Sequence, residues 1–300
     1  MKIKVKSPGS CGELVQGTIE GKNFLITCPI DLYSEAEIII GEKKTQANPG
    51  SKVLSAVEKT MQYLGCGDKN LQVIITSELL SGKGMASSSA DISAACQAVA
   101  LQLGKLLTPD EIADLALSIE PTDGVFYPGI MMFDHVHGII RRYLGIPPAM
   151  HIAVFDVGGE VDTLYFNRRA DLAELNKAKE SQVRQAMDLV INGLALRDIR
   201  LIGQGATLSA LANQSILYKP CLDKIIDIIP SFGAVGVNAA HSGTVLGILF
   251  SAENMSCCHD CIAAVQAACP EVQYLRTVRL ISGGLMKQEE GDADEWKKCN

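Results

Sequence analysis

Apolar residues nowhere run uninterrupted for the ~18 positions a membrane-spanning helix needs, so no such helix is expected. Positive charge is also scarce. Lys and Arg number 27 against 34 Asp and Glu, a net charge of −7, which argues against nucleic acid or an anionic membrane as partner and leaves a small molecule as the expected one. The first residues, Met1-Lys-Ile-Lys-Val-Lys6, alternate charge with single apolar side chains and lack the apolar centre of a secretory leader, so a cytoplasmic location is expected. The ten cysteines then read as reduced and mostly buried. Cys257-Cys258-His259-Asp260-Cys261 has some character of a metal site, but it lies in a helical pattern with no second ligand pair at zinc spacing, which argues against a structural metal. Internal repeats and low-complexity segments are absent as well.

At 300 residues, 47% hydrophobic, the chain can bury a large core. A prior of ~150 residues per domain suggests two units. We expect a boundary near residue 149, giving domains 1–149 and 150–300. In the first, residues 2–6, 24–27, 35–40 and 71–76 read as short strands. Ser51–Leu64 reads as a helix burying Val53, Leu54, Val57, Met61 and Leu64, closed by Gly65. A helix to about Leu103 follows a Gly/Ser-rich loop, its buried stripe marked by Ile92, Cys96, Val99 and Leu103. Thr108-Pro-Asp-Glu111 is a capping box with Pro at the first helical position, and residues 121–149 read as irregular. In the second unit, strands are expected at 151–156, 234–238, 244–250 and 272–282, helices near 171–195, 198–213, 219–229 and 254–268, and a loose polar tail at the end. Runs of strands and helices without regular βαβ alternation indicate an α+β fold.

The most informative segment is Gly82-Lys-Gly-Met-Ala-Ser-Ser-Ser-Ala-Asp91. Gly82 and Gly84 permit close backbone approach and positive φ. Ser87, Ser88 and Ser89 bring hydroxyls to a helix start, where Ser88 and Asp91 fit a second capping box. The first-turn N–H groups and the helix dipole favour an anion. Neither a Walker A loop nor a dinucleotide fingerprint occurs anywhere. The competing reading is a serine-rich turn that only caps a helix.

Two further segments bear on that choice: Ser7-Pro-Gly-Ser-Cys-Gly-Glu-Leu-Val-Gln-Gly17, and Asn238-Ala-Ala-His-Ser-Gly-Thr-Val-Leu-Gly247. In order and rough spacing the three resemble the motifs of the GHMP kinases, the family of galactokinase, homoserine kinase and mevalonate kinase. Leu80 or Ser81 stands where the family usually has Pro, and Met85-Ala86 replaces its Leu-Gly. Four stretches are most similar to the family's threonine-kinase branch: Ser10–Gly17, Cys28–Tyr33, Gly82–Ile92 and Gly158–Thr163.

The resemblance implies two lobes, an N-terminal one like ribosomal protein S5 and a ferredoxin-like C-terminal one, with ATP and Mg²⁺ as cofactors. It implies transfer of phosphate from ATP to the hydroxyl of L-threonine, for the aminopropanol linker of cobalamin. Gly82, Lys83, Gly84, Met85, Ala86, Ser87, Ser88 and Ser89, with Ser242, Gly243 and Thr244, would hold the nucleotide. Ser88, not separable from Ser87, and Glu120 would bind the metal. Asp123 is the candidate base, against a plain turn role in Pro-Thr-Asp-Gly, and Asp134 is the reserve. Lys83 either touches phosphate or is solvated. Glu13, Gln16, Asp31 and Tyr33 would contact substrate, with Glu13 and Asp31 as candidates for its amino group. Glu160 and Asp162 are further candidates to face the substrate. His241 reads by default as a packed loop histidine. Cys11 and Cys28 show no His pairing and are not nucleophiles. The alternatives are a kinase for homoserine, serine or a sugar, a non-catalytic nucleotide-binding regulator, and a metal-dependent interaction module on Cys257–Cys261. A monomer and a homodimer are both open.

Overall fold

Two long antiparallel strands, β1 (Ile3–Ile19) and β2 (Lys22–Ile40), organise the molecule. The turn between them has positive φ at both Glu20 and Gly21, the backbone a two-residue hairpin favours. The computed structural model describes residues 3–40, 50–66, 71–159, 161, 166, 169–289 and 295–299. Within these, eleven strands form one sheet. β3 (Leu71–Ser77) pairs with the second half of β2. β4 (Ile130–Phe133) pairs with its first half and carries β5 (Arg141–Gly145). β6 (Met150–Asp156) lies between β8 (Val245–Ser251) and β9 (Gln273–Leu280), and β7 (Gly236–Ala239) pairs with β8. β7 meets β1 at Glu13–Ala239 and β9 meets β2 at Ile30–Leu280. The pairings therefore run β1–β7–β8–β6–β9–β2 and back to β1. β10 (Met286–Glu289) lies on the start of β1, with β11 (Lys297–Lys298) outside it.

Alternation drives the outer halves of β1 and β2. Ile3, Val5, Ala36 and Ile38 are buried, while Lys4 on the other face forms an ion pair of 2.8 Å with Glu35. The buried side packs against α1 (Ser51–Tyr63), α2 (Ser87–Gln102) and α3 (Pro109–Leu117). The inner halves pack against α4 (Leu172–Leu196) and α5 (Ile199–Ala212). α6 (Leu222–Ile228) and α7 (Met255–Ala268) cover Phe155, Ile248 and Phe250. Cys258 and Cys261 point into that last core and Cys257 is exposed, so the cysteine-rich segment serves packing. Among the described residues no helix is long and apolar enough to cross a membrane.

The α+β expectation holds, with several corrections. The short N-terminal strands are two long ones, because Pro8, Gly9 and Gly12 are absorbed as irregularities of β1, where its register against β2 shifts. Residues 121–149 contain β4 and β5. Part of the expected tail pairs back onto β1 as β10. In α1 the buried set is Val53, Ala56, Val57 and Thr60, with Leu54 exposed, since small side chains settle against the neighbouring α2. That helix is buried almost all round from Ser89 to Ala100, and its many Ala and Ser residues allow close approach.

The capping box of α3 is present: Thr108 Oγ1 accepts from the Glu111 N–H at 3.3 Å, and Glu111 Oε2 accepts from the Thr108 N–H at 2.7 Å. Thr108→Ala is expected to cost about 1 kcal/mol of stability, read as a lower urea midpoint with unchanged slope.

Candidate active site

The three glycine-bearing segments converge on the N-terminus of α2. The loop before it has positive φ at Gly82, Gly84 and Ala86. Its carbonyls are held from behind. The N–H groups of Ser10 and Gly12 donate to Met85 O at 3.0 Å and Gly84 O at 3.1 Å, and those of Thr244 and Val245 both donate to Lys83 O. Gly84 and Gly243 meet backbone to backbone. A Cβ on Gly243 would lie 2.2 Å from Gly84 N, and one on Gly84 would lie 2.3 Å from Ala240 Cβ. Gly12, at φ +54°, sits equally close to the backbone of Ala239 and Ala240.

The expected Ser88–Asp91 capping box does not form. α2 begins at Ser87, so the capping position falls on Ala86, which has no side-chain acceptor, and Asp91 Oδ1 instead accepts from Ser34 Oγ. First-turn N–H groups have no partner within a helix. Here they belong to Ser87, Ser88 and Ser89, which line a cavity of about 560 Å³. An uncapped helix end opening into a cavity is an anion site by its dipole and its donors.

Gly82, Gly84, Met85 and Ala86 from the loop, Ser242 from the third segment, and Glu120 and Asp123 also line this cavity. Ser88 Oγ donates to Glu120 Oε1, and the other oxygen of this buried carboxylate pairs with Lys52 Nζ at 2.6 Å. A hydroxyl beside a carboxylate is an oxygen donor set suited to a hard divalent cation. The Asp123 N–H donates to Ser89 Oγ at 3.0 Å. Burial, then the charge of Glu120, pushes the Asp123 carboxyl up to about 6. Glu13 is buried and accepts from the His241 N–H at 2.6 Å. Burial first and the Asp123 charge second raise it well above the usual carboxylate range.

Other expected site residues lie elsewhere. Lys83 is neither solvated nor turned to the cavity: its Nζ bonds Asp156 Oδ2 at 2.8 Å and Gly159 O at 2.6 Å, tying the loop to the end of β6. Gly243 and Thr244 are buried behind Ser242. Asp134 accepts from the N–H groups of Val136, His137 and Ile139, holding a turn. Asp31 pairs with Arg279 at 2.7 Å. Tyr33 O accepts from the Glu78 N–H at 3.0 Å, its own N–H donates to Glu78 Oε2 at 3.1 Å, and its ring lies under Lys6 Nζ. Gln16 stands one shell back, bonded to Ala239 O and His241. Glu160 and Asp162 lie outside the described residues.

Four residues of the site were not foreseen. Lys52 reads as helix surface, but a lysine in the first turn of a helix opposes the dipole, and that mismatch was a usable signal. Thr122 and His135 line the cavity and carry no local motif. Lys219 is buried and donates to Gly243 O. Burial lowers it to about 8, although Glu13 and Asp156 act the other way. His241 lines the cavity too, its ring edge-on to His135 at 4.8 Å and to Phe166 at 5.1 Å.

A doubly braced glycine loop, an uncapped helix start and a hydroxyl–carboxylate pair in one cavity are the chemistry of a phosphate-handling enzyme. The model of the GHMP kinases N terminal domain matches residues 51–129. The crystal structure of homoserine kinase from Cytophaga hutchinsonii superposes with a TM-score of 0.70 at 17% identity, covering 96% of this chain and 97% of that one. At higher identity stand two L-threonine kinases. That of Salmonella typhimurium strain LT2 is 31% identical over 290 residues, 94% of each chain. That of Citrobacter freundii is 32% identical over 243 residues, 81% of this chain and 84% of the relative. The chain belongs to the GHMP kinase family and is a small-molecule kinase.

Two substitutions probe the loop. Gly243→Ala forces the two loops apart and is expected to raise the KM for ATP at least tenfold, a loss of about 1.4 kcal/mol or more in binding, measured by steady-state kinetics. Ala86→Gly relieves a left-handed alanine, worth about 1–2 kcal/mol, against an added unfolded-state entropy of about 0.4–1 kcal/mol. A higher melting temperature is the expected result.

Proposed function

We propose that the protein transfers the terminal phosphoryl group of ATP to the side-chain hydroxyl of L-threonine, giving ADP and O-phospho-L-threonine for the aminopropanol linker of cobalamin. The observation that carries this reading is Asp123, half-buried and lining the same cavity as the uncapped start of α2. The 31% identity to an L-threonine kinase along nearly the whole chain supports threonine as acceptor.

Phosphoryl transfer needs positioning and charge neutralisation more than covalent chemistry. The N–H groups of Ser87, Ser88 and Ser89 take the phosphate oxygens, with Ser242 closing the other side. Ser88 and Glu120 would hold Mg²⁺, which when bound would neutralise phosphate charge. Lys52, held by Glu120, adds a second positive charge. Asp123 accepts the proton of the acceptor hydroxyl. Lys83 and Lys219 position the two loops from behind. Asp134, Asp31 and Tyr33 take no part. We place the chain in the cytoplasm, as a monomer or homodimer, with lobes 1–149 and 150–300.

The first test is coupled ADP release with Mg-ATP and L-threonine, beside serine, homoserine and a no-acceptor control. Threonine is expected to lead. Serine should follow roughly 10–200-fold lower in kcat/KM, the worth of one methyl group. Turnover of homoserine or a sugar alone would move the assignment to that acceptor.

Asp123→Asn is expected to lower kcat by roughly 10²–10⁴. The base must be ionised and its carboxyl sits near 6, so wild-type kcat/KM should fall as pH drops through about 6. The Asn variant should lack that limb. A variant with the same acid limb would remove Asp123 from the reaction.

A further inference from the structure

Among the described residues, several buried side-chain polar atoms lack a partner, and three belong to residues lining this one cavity: Thr122 Oγ1, His135 Nδ1 and His241 Nε2. A buried polar atom without a partner costs about 1–3 kcal/mol, so three of them together point to a ligand that supplies the missing bonds. The residues are neighbours: the Thr122 N–H donates to His135 O at 2.9 Å, and the two imidazoles lie 4.8 Å apart.

The kind of ligand follows from the proton on His241. Gln16 Nε2 donates to Ala239 O at 2.9 Å, which turns its Oε1 to His241 Nδ1 at 3.2 Å. An amide oxygen only accepts, so Nδ1 carries the ring proton and Nε2 presents a lone pair. The ring stays neutral, because burial, followed by the charges of His135, Lys179 and Lys219, lowers it well below the usual histidine range. Burial likewise lowers His135 to about 4. Two neutral imidazoles and a hydroxyl can thus all accept.

The acidic and basic residues that line the cavity are Glu120, Asp123 and Lys52, two acids to one base. Glu13 touches the His241 backbone and Asp123 follows Thr122 in the chain. Lys52 is paired with Glu120, and Lys219 and Lys179, whose charges reach His241, direct their ammonium groups to Gly243 O and to Asn213 at 2.7 Å and do not line the cavity. An anionic group here would face the His241 Nε2 lone pair and lie beside Asp123. An ammonium, with three donors and no acceptor, fits.

We infer that His241, His135 and Thr122 form the subsite for the α-ammonium group of the acceptor, so that a free amine, and not only a hydroxyl, is required for phosphorylation. This rests on the amino-acid kinase reading above. It assigns specificity to residues distinct from those handling phosphate.

The test pairs each amino-acid acceptor with its counterpart in which hydrogen replaces the amine: L-threonine with 3-hydroxybutyrate, serine with 3-hydroxypropionate, homoserine with 4-hydroxybutyrate, all on the full chain with Mg-ATP. Sites built to bond an N–H reject the analogue lacking it by about 10⁴, so a drop of at least roughly 10³ in kcat/KM is expected for the best acceptor. His241→Phe removes the Nε2 lone pair. It should raise the KM for that acceptor at least tenfold and shrink the discrimination at least tenfold, while Mg-ATP binding by calorimetry stays within about twofold. Should His241→Phe fail to bind Mg-ATP, Thr122→Val is read the same way. Equal turnover of threonine and 3-hydroxybutyrate overturns the inference and leaves the threonine reading intact. Turnover of homoserine but not threonine, with 4-hydroxybutyrate inert, overturns the threonine reading and supports the ammonium subsite. Variants that lose activity with discrimination unchanged overturn the subsite assignment.

Discussion

The contact on which the site depends is the one between two glycines, Gly84 and Gly243. With no Cβ on either, the loop before α2 and the loop between β7 and β8 lie against each other, and Thr244 and Val245 both donate to Lys83 O. β1 braces the same loop from another side through Ser10 and Gly12. The loop's carbonyls are thereby directed into the protein and the first-turn donors of α2 toward the cavity. A phosphate site of this type needs donors that are fixed before the ligand arrives, since reorganisation would consume the binding energy. The closed circuit of β1, β7, β8, β6, β9 and β2 supplies that fixity, because no loop in the contact can shift without disturbing a paired strand.

Much of this was legible in the sequence, for reasons that differ by element. α3 announces itself through Thr108-Pro109 and Glu111, whose cap is local chemistry. The Gly82–Asp91 loop is recognisable because few other structures need two glycines and three serines there. The chain order of Pro8, Gly9 and Gly12 was misleading: such residues normally break a strand, yet here they are the places where β1 must bulge and let other backbones approach. The cap of α2 was misplaced by two residues, and the error matters. An acceptor at that position would satisfy donors that the ligand is meant to use, so Ala86 in a left-handed conformation, although strained, suits the site better than a serine would.

What was hardest to read were the residues brought in over long sequence distances. Lys52, His135 and Lys219 come from a helix start, a loop after β4 and a segment before α6, and nothing local marks them as a set. Asp31 and Asp134 are the converse case. Each sits in a stretch rich in suggestive neighbours, but each carboxylate is consumed by nearby donors, Arg279 for one and a turn of backbone N–H groups for the other. A carboxylate whose lone pairs are already taken has little left to offer a substrate.

The charges in and behind the site follow one pattern. Lys83 pairs with Asp156, and Lys219 feels both Asp156 and Glu13. Glu13 in turn feels Asp123, which feels Glu120, which is held by Lys52. Acids outnumber bases toward the middle of this series, at Glu13 and Asp123, and bases lie toward its two ends. Burial makes each charge costly unless something offsets it. Burial first, and the charge of Glu120 second, leave Asp123 with a carboxyl near 6, poised between its two protonation states close to neutral pH, as the proposed proton acceptor should be. The cavity wall is also one positive charge short, with Glu120 and Asp123 against Lys52. A cationic group arriving with the acceptor would relieve that deficit and favour the ionised form of Asp123. Acceptor binding and activation of the base would then be linked through one electrostatic field.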